Sequence, residues 1–214
     1  FRGANGFSSG AGAQHAQCFS AWFAHVPGLK VVAPSNPADA KGLLKSAIRD
    51  RGPVLMLESE LLYGATGPVA KGDDALVAIG SARIARQGRD VSIITYARGV
   101  VHALEAADRL AGEGIEAEVV DLRTLRPLDI ATVLKSVRKT HRLVTVEDAW
   151  PMCSIGSELC ARVAIDAFEA LAAPPVKVAA ADAPMPYAAN LEKLALPDAD
   201  SVVAAVREVC RDAP

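Results

Sequence analysis

The sequence predicts an α/β fold made of two doubly wound, mostly parallel sheets. Two observations carry this prediction. Apolar runs of strand length alternate with helical stretches along the chain, a pattern typical of strand–helix–strand units. A polar segment rich in glycine and proline, at 63–75, interrupts the alternation, so we place a domain boundary there. The predicted domains are residues 1–70 and residues 71–214.

The composition is that of an ordinary soluble globular chain. Hydrophobic residues make up 51% and charged residues 22% of the 214 residues, and the net charge is -2. Since there is no basic excess, we expect no nucleic-acid partner. The longest apolar runs, such as 91–94, are far shorter than the roughly 20 residues of a membrane helix, so we expect no membrane partner.

The first 35 residues predict a polar loop, a short helix and a strand. The opening segment is rich in Gly, Ser, Ala and Gln, which favours a loop. Aromatic residues recur at helical spacing within 18–25, and a Pro-Gly turn follows them. The apolar run at 29–33 then predicts a short buried strand.

The segment 36–51 carries the clearest helix signals. Asn36 suits an N-cap and Pro37 suits the first helical position. One apolar stripe runs along the segment and consists of Ala40, Leu43, Leu44, Ala47 and Ile48. A Gly-Pro pair stops this helix, and the apolar run Val54–Glu58 predicts the next strand.

The same alternation continues in the second predicted domain. Strands are expected at 91–96, 117–121, 142–147 and 176–180, and helices at 99–113, 129–139, 154–171 and 199–211. A helix is expected in every connection between successive strands, which predicts a second parallel sheet.

His15 is the candidate catalytic residue. It stands in the polar opening loop beside two glutamines. An imidazole there can donate a hydrogen bond to a developing oxyanion or transfer a proton near neutral pH. A loop histidine with a structural hydrogen bond is the alternative. We expect His25, His102 and His141 to be structural or surface residues.

The end of the helix at 36–51 is a candidate cation site. The last carbonyl groups of a helix have no partner within the helix. Ala47, Ile48, Asp50 and Gly52 could therefore direct several oxygens at one hard cation, such as potassium or calcium. Capping by water or by a side chain is the alternative.

Polar groups also follow two predicted strands of the second domain. They lie in the segments 121–127 and 147–150. In doubly wound sheets ligands bind outside the carboxyl ends of strands, so a ligand is geometrically allowed there. Helix capping or pairing across an interface is the interpretation that we favour.

Long, ordered segments carry a resemblance to a known family. The opening stretch, from FRGANG through AGAQHAQCFSAW to LESELLYG, resembles the pyrimidine-binding domain of the beta subunits of pyruvate dehydrogenases. Later segments resemble a transketolase-type C-terminal domain: DVSIITYARGV, DLRTLRPLD, LVTVEDAW, IGSELCARV and ADAPMPYAANLE. The resemblance covers essentially the whole chain.

The resemblance implies a partial pyrimidine-binding domain followed by a transketolase C-terminal domain. It implies a heterotetramer of two alpha and two beta subunits, in which alpha holds the Mg²⁺ and the diphosphate of thiamine diphosphate. Beta supplies the pyrimidine side of the pocket. The assembly decarboxylates pyruvate and reductively acetylates a lipoyl group on the second component, dihydrolipoyl acetyltransferase. The implied location is the bacterial cytoplasm, or the mitochondrial matrix in a eukaryote.

Residue by residue, the resemblance places His15 on the family's active-site histidine, which steadies the intermediate and assists transfer to the lipoyl group. It places Ala47, Ile48, Asp50 and Gly52 on a structural potassium site. At Gly52 the match is positional, since the human-type subunit carries asparagine there.

One departure concerns the glutamate that bonds the aminopyrimidine ring of the cofactor in this family. It lies upstream of the segment that aligns, and the interior-like opening of this chain leads us to expect a missing N-terminal part. Glu58 and Glu60 stand at the wrong place in the domain to replace it, so this chain alone is expected to be inactive.

Two alternatives stay open. A branched-chain 2-oxoacid or acetoin dehydrogenase would share most of these motifs. A non-catalytic assembly and docking module would use the second domain for contacts between subunits.

Overall fold

A computed structural model describes residues 1–72 and 75–211. In that part of the chain the strands are β1 (Arg2–Ala4), β2 (Lys30–Val32), β3 (Val54–Glu58), β4 (Arg83–Arg86), β5 (Val91–Thr95), β6 (Ala117–Asp121), β7 (Thr124–Arg126), β8 (Leu143–Val146) and β9 (Val176–Val178). The helices are α1 (Gly12–His15), α2 (Ser20–His25), α3 (Pro37–Arg49), α4 (Gly99–Ala111), α5 (Ile130–Thr140), α6 (Ile155–Asp166), α7 (Ala189–Ala195) and α8 (Ala199–Cys210). Asp73 and Asp74 of the predicted linker lie outside the described residues.

The first sheet has the order β1-β3-β2-β7. Strands β1 and β2 run parallel to β3, whereas β7 runs antiparallel to β2. Helix α3 packs against this sheet, and its Leu43 joins Val32 and Met56 in one buried cluster. We call residues 1–72 the first half of the chain and residues 75–211 the second half. Strand β7 comes from the second half and completes the first sheet.

The second sheet has the order β4-β6-β5-β8-β9 and is parallel except for β4. Helices α4 and α8 pack on one face, where Leu110 and Val206 share a buried cluster with Ile93. Helices α5 and α6 pack on the other face, against Ile94. Adjacent residues of β5 thus point to opposite faces, as the pleat of a strand requires.

The predicted class of two doubly wound, mostly parallel sheets is confirmed. The helix expected at 36–51 is α3, and the Asn36 side chain accepts the Asp39 N–H at 2.9 Å, as an N-cap does. Strands β3, β5, β6, β8 and β9 fall within the predicted ranges. Within the described ranges no helix combines the length and the apolar character that crossing a membrane requires.

The prediction of a helix in every connection of the second domain is wrong. Strand β4 is antiparallel to β6 and leads into β5 through the short loop at 87–90. Its sequence carries an arginine at each end and its side chains are half-buried, so it lacks the apolar run that marks a central strand. Strand β7 likewise follows β6 after two residues and turns to the first sheet.

The helix predicted over 154–171 is shorter than expected. It ends at Asp166 because Ala167 adopts φ -155° and ψ 32°, outside the helical region. A single 3₁₀ turn, Phe168–Ala170, follows.

Candidate functional site

His15 ends α1, a single helical turn inside the glycine-rich loop, and its side chain is exposed. It lines a hollow of about 590 Å³ whose other wall contains Met185 and Tyr187, from the second half of the chain. A Cβ atom at Gly12, where φ is +62°, would lie 3.0 Å from Cδ2 of Tyr187. The two segments therefore touch, and His15 stands where a reacting group can enter.

Hydrogen bonds within the first half hold the loop that carries His15. The Gly6 N–H donates to the Gln17 carbonyl at 2.9 Å, which closes the base of the loop. The Gln17 side-chain amide, through Nε2, donates to the Ala13 carbonyl at 2.6 Å. Ala16, next to the histidine, is buried and anchors the turn.

A carboxylate that follows β8 is buried where the two halves of the chain meet. Glu147 accepts the Tyr96 hydroxyl at 3.0 Å and the Gly156 N–H at 2.8 Å. Burial raises the pKa of the Glu147 carboxyl above its usual value of 4.5. Burial also raises the pKa of the Tyr96 phenol well above its ordinary value. The hydrogen bond from Gly156 places Glu147 at the start of α6, so it caps that helix.

A second group of hydrogen-bonded polar side chains, partly buried, lies in the first half of the chain and consists of Asn5, Cys18 and Ser20. The Cys18 thiol lies 3.3 Å from the Ser20 hydroxyl, and the Asn5 amide donates to Cys18 at 3.4 Å. The side-chain oxygen Oδ1 of Asn5 accepts the Phe19 N–H at 2.7 Å. Burial raises the pKa of the Cys18 thiol, so the group is a hydrogen-bonding partner and not a ready nucleophile.

The other strand-end carboxylate of this segment holds an arginine in place. Asp148 accepts two hydrogen bonds from Arg98, at 2.8 and 3.0 Å. The Arg98 guanidinium carbon lies 5.7 Å from the ring centre of Phe7, in the opening loop. A cation over an aromatic face is attractive, so this contact ties the loop to the second sheet.

The segment after β6 pairs with the first half of the chain. Arg123, whose φ is +56°, donates to the Asp39 carboxylate at 3.1 Å. Asp121 accepts the Ser35 hydroxyl at 2.5 Å and the Arg83 guanidinium at 3.2 Å. Burial raises the pKa of the Asp121 carboxyl despite these partners. Both strand-end segments therefore match the interpretation of capping and pairing across an interface.

The four residues of the candidate cation site lie at the end of α3. The Ala47 carbonyl accepts a long hydrogen bond from the Asp50 N–H, at 3.3 Å. The Asp50 carboxylate accepts the Lys30 ammonium at 2.5 Å and the Gly52 N–H at 2.8 Å. These contacts, the Lys30 bond first, hold the pKa of Asp50 below its usual value. Ala47, Ile48 and Gly52 line one hollow.

The remaining histidines lie away from the hollow. His141 occupies the left-handed C-cap of α5, and its Nδ1 lies 2.9 Å from the Ala170 carbonyl. His25 is exposed at the end of α2. His102 is half-buried, and burial lowers its pKa.

Sequence reasoning missed the wall opposite His15. Helix α7 is short, and its neighbour Tyr187 is exposed, so no periodicity marks the segment. Its place beside the loop depends on chain segments more than 170 residues apart. The only signal was the motif ADAPMPYAANLE, which carried the resemblance without indicating a position.

Two family models match the chain, and together they span most of it. The transketolase pyrimidine binding domain matches residues 1–66, and the transketolase C-terminal domain matches residues 80–202. The second match alone covers more than half of the 214 residues.

Curated relatives are similar over nearly the whole chain. The pyruvate dehydrogenase E1 component subunit beta of Rhizobium meliloti is 53% identical over 98% of this chain and 46% of the relative. The mitochondrial subunit beta-1 of Arabidopsis thaliana is 54% identical, over 98% of this chain and 59% of the relative. The human mitochondrial subunit beta is 50% identical, over 97% of this chain and 59% of the relative. The chain thus spans about half the length of these relatives.

A solved structure shares the fold. A chain described as a split gene transketolase, inactive beta4 tetramer, superposes with a TM-score of 0.79 at 27% identity, over 98% of this chain and 65% of that chain. The match extends across both sheets, as do the family models. The chain therefore belongs to the transketolase family, with the pyrimidine-binding match followed by the C-terminal domain.

Proposed function

We propose that this chain is part of the beta subunit of a thiamine-diphosphate-dependent pyruvate dehydrogenase. The observation that carries the proposal is the exposed imidazole of His15 on a hollow between two halves of the chain. In this proposal residues 1–70 are part of the pyrimidine-binding domain and residues 71–214 form the C-terminal domain. The named relatives support the proposal through their identity of 50 to 54%.

The chemical role that we propose for His15 is proton transfer to a lipoyl sulfur. Transfer of the two-carbon fragment, with its electron pair, to one sulfur of the lipoyl disulfide breaks the S–S bond. The other sulfur leaves as a thiolate, which must gain a proton. A histidine side chain is suited to supply that proton, because imidazole exchanges protons near neutral pH. The open hollow leaves room for a flexible arm that brings the ring to His15.

The cofactor site is not complete in the residues that the structure describes. Glu58 is the buried carboxylate at the end of β3, but its Oε2 accepts both Arg2 and Tyr63, each at 3.0 Å. Because Glu58 already binds these two donors, it does not fit the role of the carboxylate that bonds the aminopyrimidine. We propose that thiamine diphosphate is shared with an alpha subunit, which holds its Mg²⁺.

The proposed partners are an alpha subunit, in a heterotetramer of two alpha and two beta subunits, and the second component, dihydrolipoyl acetyltransferase. Large apolar side chains that stay exposed support further assembly: Trp22, Ile48, Met152, Phe168 and Leu194. The names of the relatives favour the bacterial cytoplasm or the mitochondrial matrix as the location.

Substitution of His15 by Ala in the full-length subunit, assembled with alpha, tests the proposal. We expect reductive acetylation of a lipoyl domain to fall about 100-fold or more, because general acid catalysis contributes about 10² to 10⁴. Decarboxylation, measured with an artificial electron acceptor, should fall less. His25→Ala is the control, since His25 is exposed and lies outside the hollow. Wild-type transfer by His15→Ala with intact assembly would contradict the catalytic role and favour an assembly module.

Turnover with two 2-oxoacids tests the proposed substrate. The wild-type heterotetramer should prefer pyruvate to 3-methyl-2-oxobutanoate. A preference for the branched acid would favour the branched-chain alternative.

We further propose a structural potassium ion at the end of α3. Because the Asp50 carboxylate already binds Lys30 and Gly52, backbone oxygens of Ala47, Ile48, Asp50 and Gly52 are the proposed ligands. Hard cations accept such oxygens. Replacing K⁺ by Na⁺ in the buffer should lower the Tm of the assembled protein. An unchanged Tm counts against the ion.

A further inference from the structure

A buried carboxylate from α7 contacts the loop that carries His15. The Glu192 side chain is 2% exposed, and its Oε1 accepts the Gly10 N–H at 2.8 Å. The two residues are 182 positions apart in the chain. Because this hydrogen bond joins the loop to a distant, buried residue, it restricts the loop relative to the rest of the fold, which a bond within the loop cannot do.

Two hydrogen bonds hold the segment that carries Glu192. The Ala181 N–H donates to the Ala195 carbonyl at 2.8 Å, which closes the segment containing α7. The Trp150 indole donates to the Ala183 carbonyl at 2.7 Å and joins this segment to the loop after β8. Glu192 therefore connects the His15 loop to the second sheet.

The loop needs an external anchor because of its own sequence. Gly10 and Gly12 have φ values of +70° and +62°. Glycine adopts positive and negative φ about equally readily, so its own conformational preference does not hold the loop in this form. Gly10 is exposed, and it lies five residues before His15. Restriction at Gly10 therefore reduces the range of positions that the imidazole can take.

We propose that Glu192 is a positioning residue, which holds the glycine loop so that His15 stays aligned with the hollow. The inference rests on the proposed role of His15 in acyl transfer. Glu192 itself acts through the Gly10 N–H and not on the substrate.

Three variants of the full-length subunit, assembled with alpha, separate the acceptor from the packing. Glu192→Met keeps a long, unbranched side chain in the buried site and removes the acceptor. Glu192→Gln keeps an acceptor oxygen and removes the charge. Lys193→Met is the matched control, because Lys193 is exposed on the same helix.

Reductive acetylation of a lipoyl domain by Glu192→Met should be about tenfold slower, since small misplacement of a catalytic group costs up to about 100-fold. Decarboxylation with an artificial acceptor should change less, so the ratio of the two rates falls. Glu192→Gln should restore the ratio to within about twofold of wild type, as expected when an acceptor oxygen remains. The amides of 8–15 should exchange hydrogen faster in Glu192→Met and at the wild-type rate in Lys193→Met.

His15→Ala is measured beside these variants. If His15→Ala is impaired while Glu192→Met transfers at the wild-type rate, the positioning role is wrong and the role of His15 stands. If His15→Ala transfers normally, the proposed function of His15 fails, and this inference with it. Should Glu192→Met not assemble, Glu192→Asp retracts the carboxylate by one methylene and should lower the same ratio. An unchanged ratio in Glu192→Asp would then overturn the inference.

Discussion

At the scale of single residues, the sequence indicates one functional candidate directly and gives no sign of how deeply other polar groups are buried. His15 is visible because polar residues surround it in a glycine-rich loop. The polar role of Tyr96 is not visible in the sequence, because Tyr96 ends an apolar strand run, where an aromatic residue is expected to be part of the core. Glu147 is misleading in the sequence. A charged residue after a strand suggests an exposed side chain, yet Glu147 is 2% exposed. Whether such a group meets water or a partner depends on which elements cover it.

The burial of Glu147 predicts a pH dependence of stability. Its pKa is raised in the folded state above the usual 4.5, so the folded state binds the proton more tightly. That stabilisation is fully present below about 4.5 and is lost as the pH rises through the folded pKa. Glu147→Gln keeps an acceptor without the ionisation. Its Tm relative to wild type should therefore rise between pH 5 and pH 8.

Thermal unfolding at several pH values checks this expectation. Glu169→Gln is the control, because Glu169 is exposed, and its Tm difference from wild type should be nearly constant. A Glu147→Gln difference that is equally constant would contradict the cause assigned to burial.

At the scale of elements, capping and periodicity predicted the long helices, whereas pairing with a neighbouring strand decided the short edge strands. Helix α3 begins one residue after Asn36 because that side chain satisfies the Asp39 N–H. Strand β7 has three residues and exists because β2 offers it an open edge. An edge is a property of the assembled sheet and carries no local pattern.

Helix α8 offers a test of capping. Asp198 accepts the Ser201 N–H at 2.9 Å, and the Ser201 hydroxyl accepts the Asp198 N–H at 2.9 Å. Asp198→Ala removes the acceptor and should cost about 1 kcal/mol. For a chain of this length that corresponds to a fall in Tm of roughly 2 to 4 °C. Asp198→Asn keeps an acceptor and should lose much less.

The same cap should respond to acid. The Ser201 N–H, the largest cause, lowers the pKa of Asp198 below 3.8. This stabilisation is present above the unfolded pKa and is lost as the pH falls through the folded pKa. Scanning calorimetry at pH 7 and pH 3 should therefore find a smaller difference between wild type and Asp198→Ala at pH 3. An equal or larger difference at pH 3 would contradict capping by the carboxylate.

At the scale of the whole molecule, one core joins the two sheets. Val31 and Leu57 of the first sheet lie in the same buried cluster as Ile94 and Val120 of the second. Strand β7 adds backbone pairing between the halves. The division at residue 70 stays a prediction about domains, but the two sheets share apolar contacts and so support each other.

A substitution of Arg123 tests the contact between the two halves of the chain. Its side chain is 13% exposed, and it donates to Asp39 as well as to the Ser81 and Ala82 carbonyls. Arg123→Met leaves the buried Asp39 with one arginine fewer, which should cost about 3 kcal/mol. The expected fall in Tm is roughly 6 to 12 °C for a chain of this length. Urea or thermal unfolding measures it.

The matched control is Arg89→Met, because the Arg89 side chain is 78% exposed and its carboxylate partner lies 3.8 Å away. Its Tm should change by less than about 1 °C, as is usual for exposed ion pairs. An equal fall in Tm in the two variants would show that the hydrogen bonds of Arg123 contribute no more to stability than an exposed ion pair does.

The sequence by itself determined the fold class, the longer elements and the candidate residues His15, Ala47, Ile48, Asp50 and Gly52. These follow from local properties: periodicity, caps, breakers and long motifs. Only the tertiary structure decided that β7 closes the first sheet, that Glu58 is already paired and that Glu192 accepts a hydrogen bond from the His15 loop. Those facts depend on contacts between segments up to 182 positions apart, and such contacts leave no local pattern in the chain.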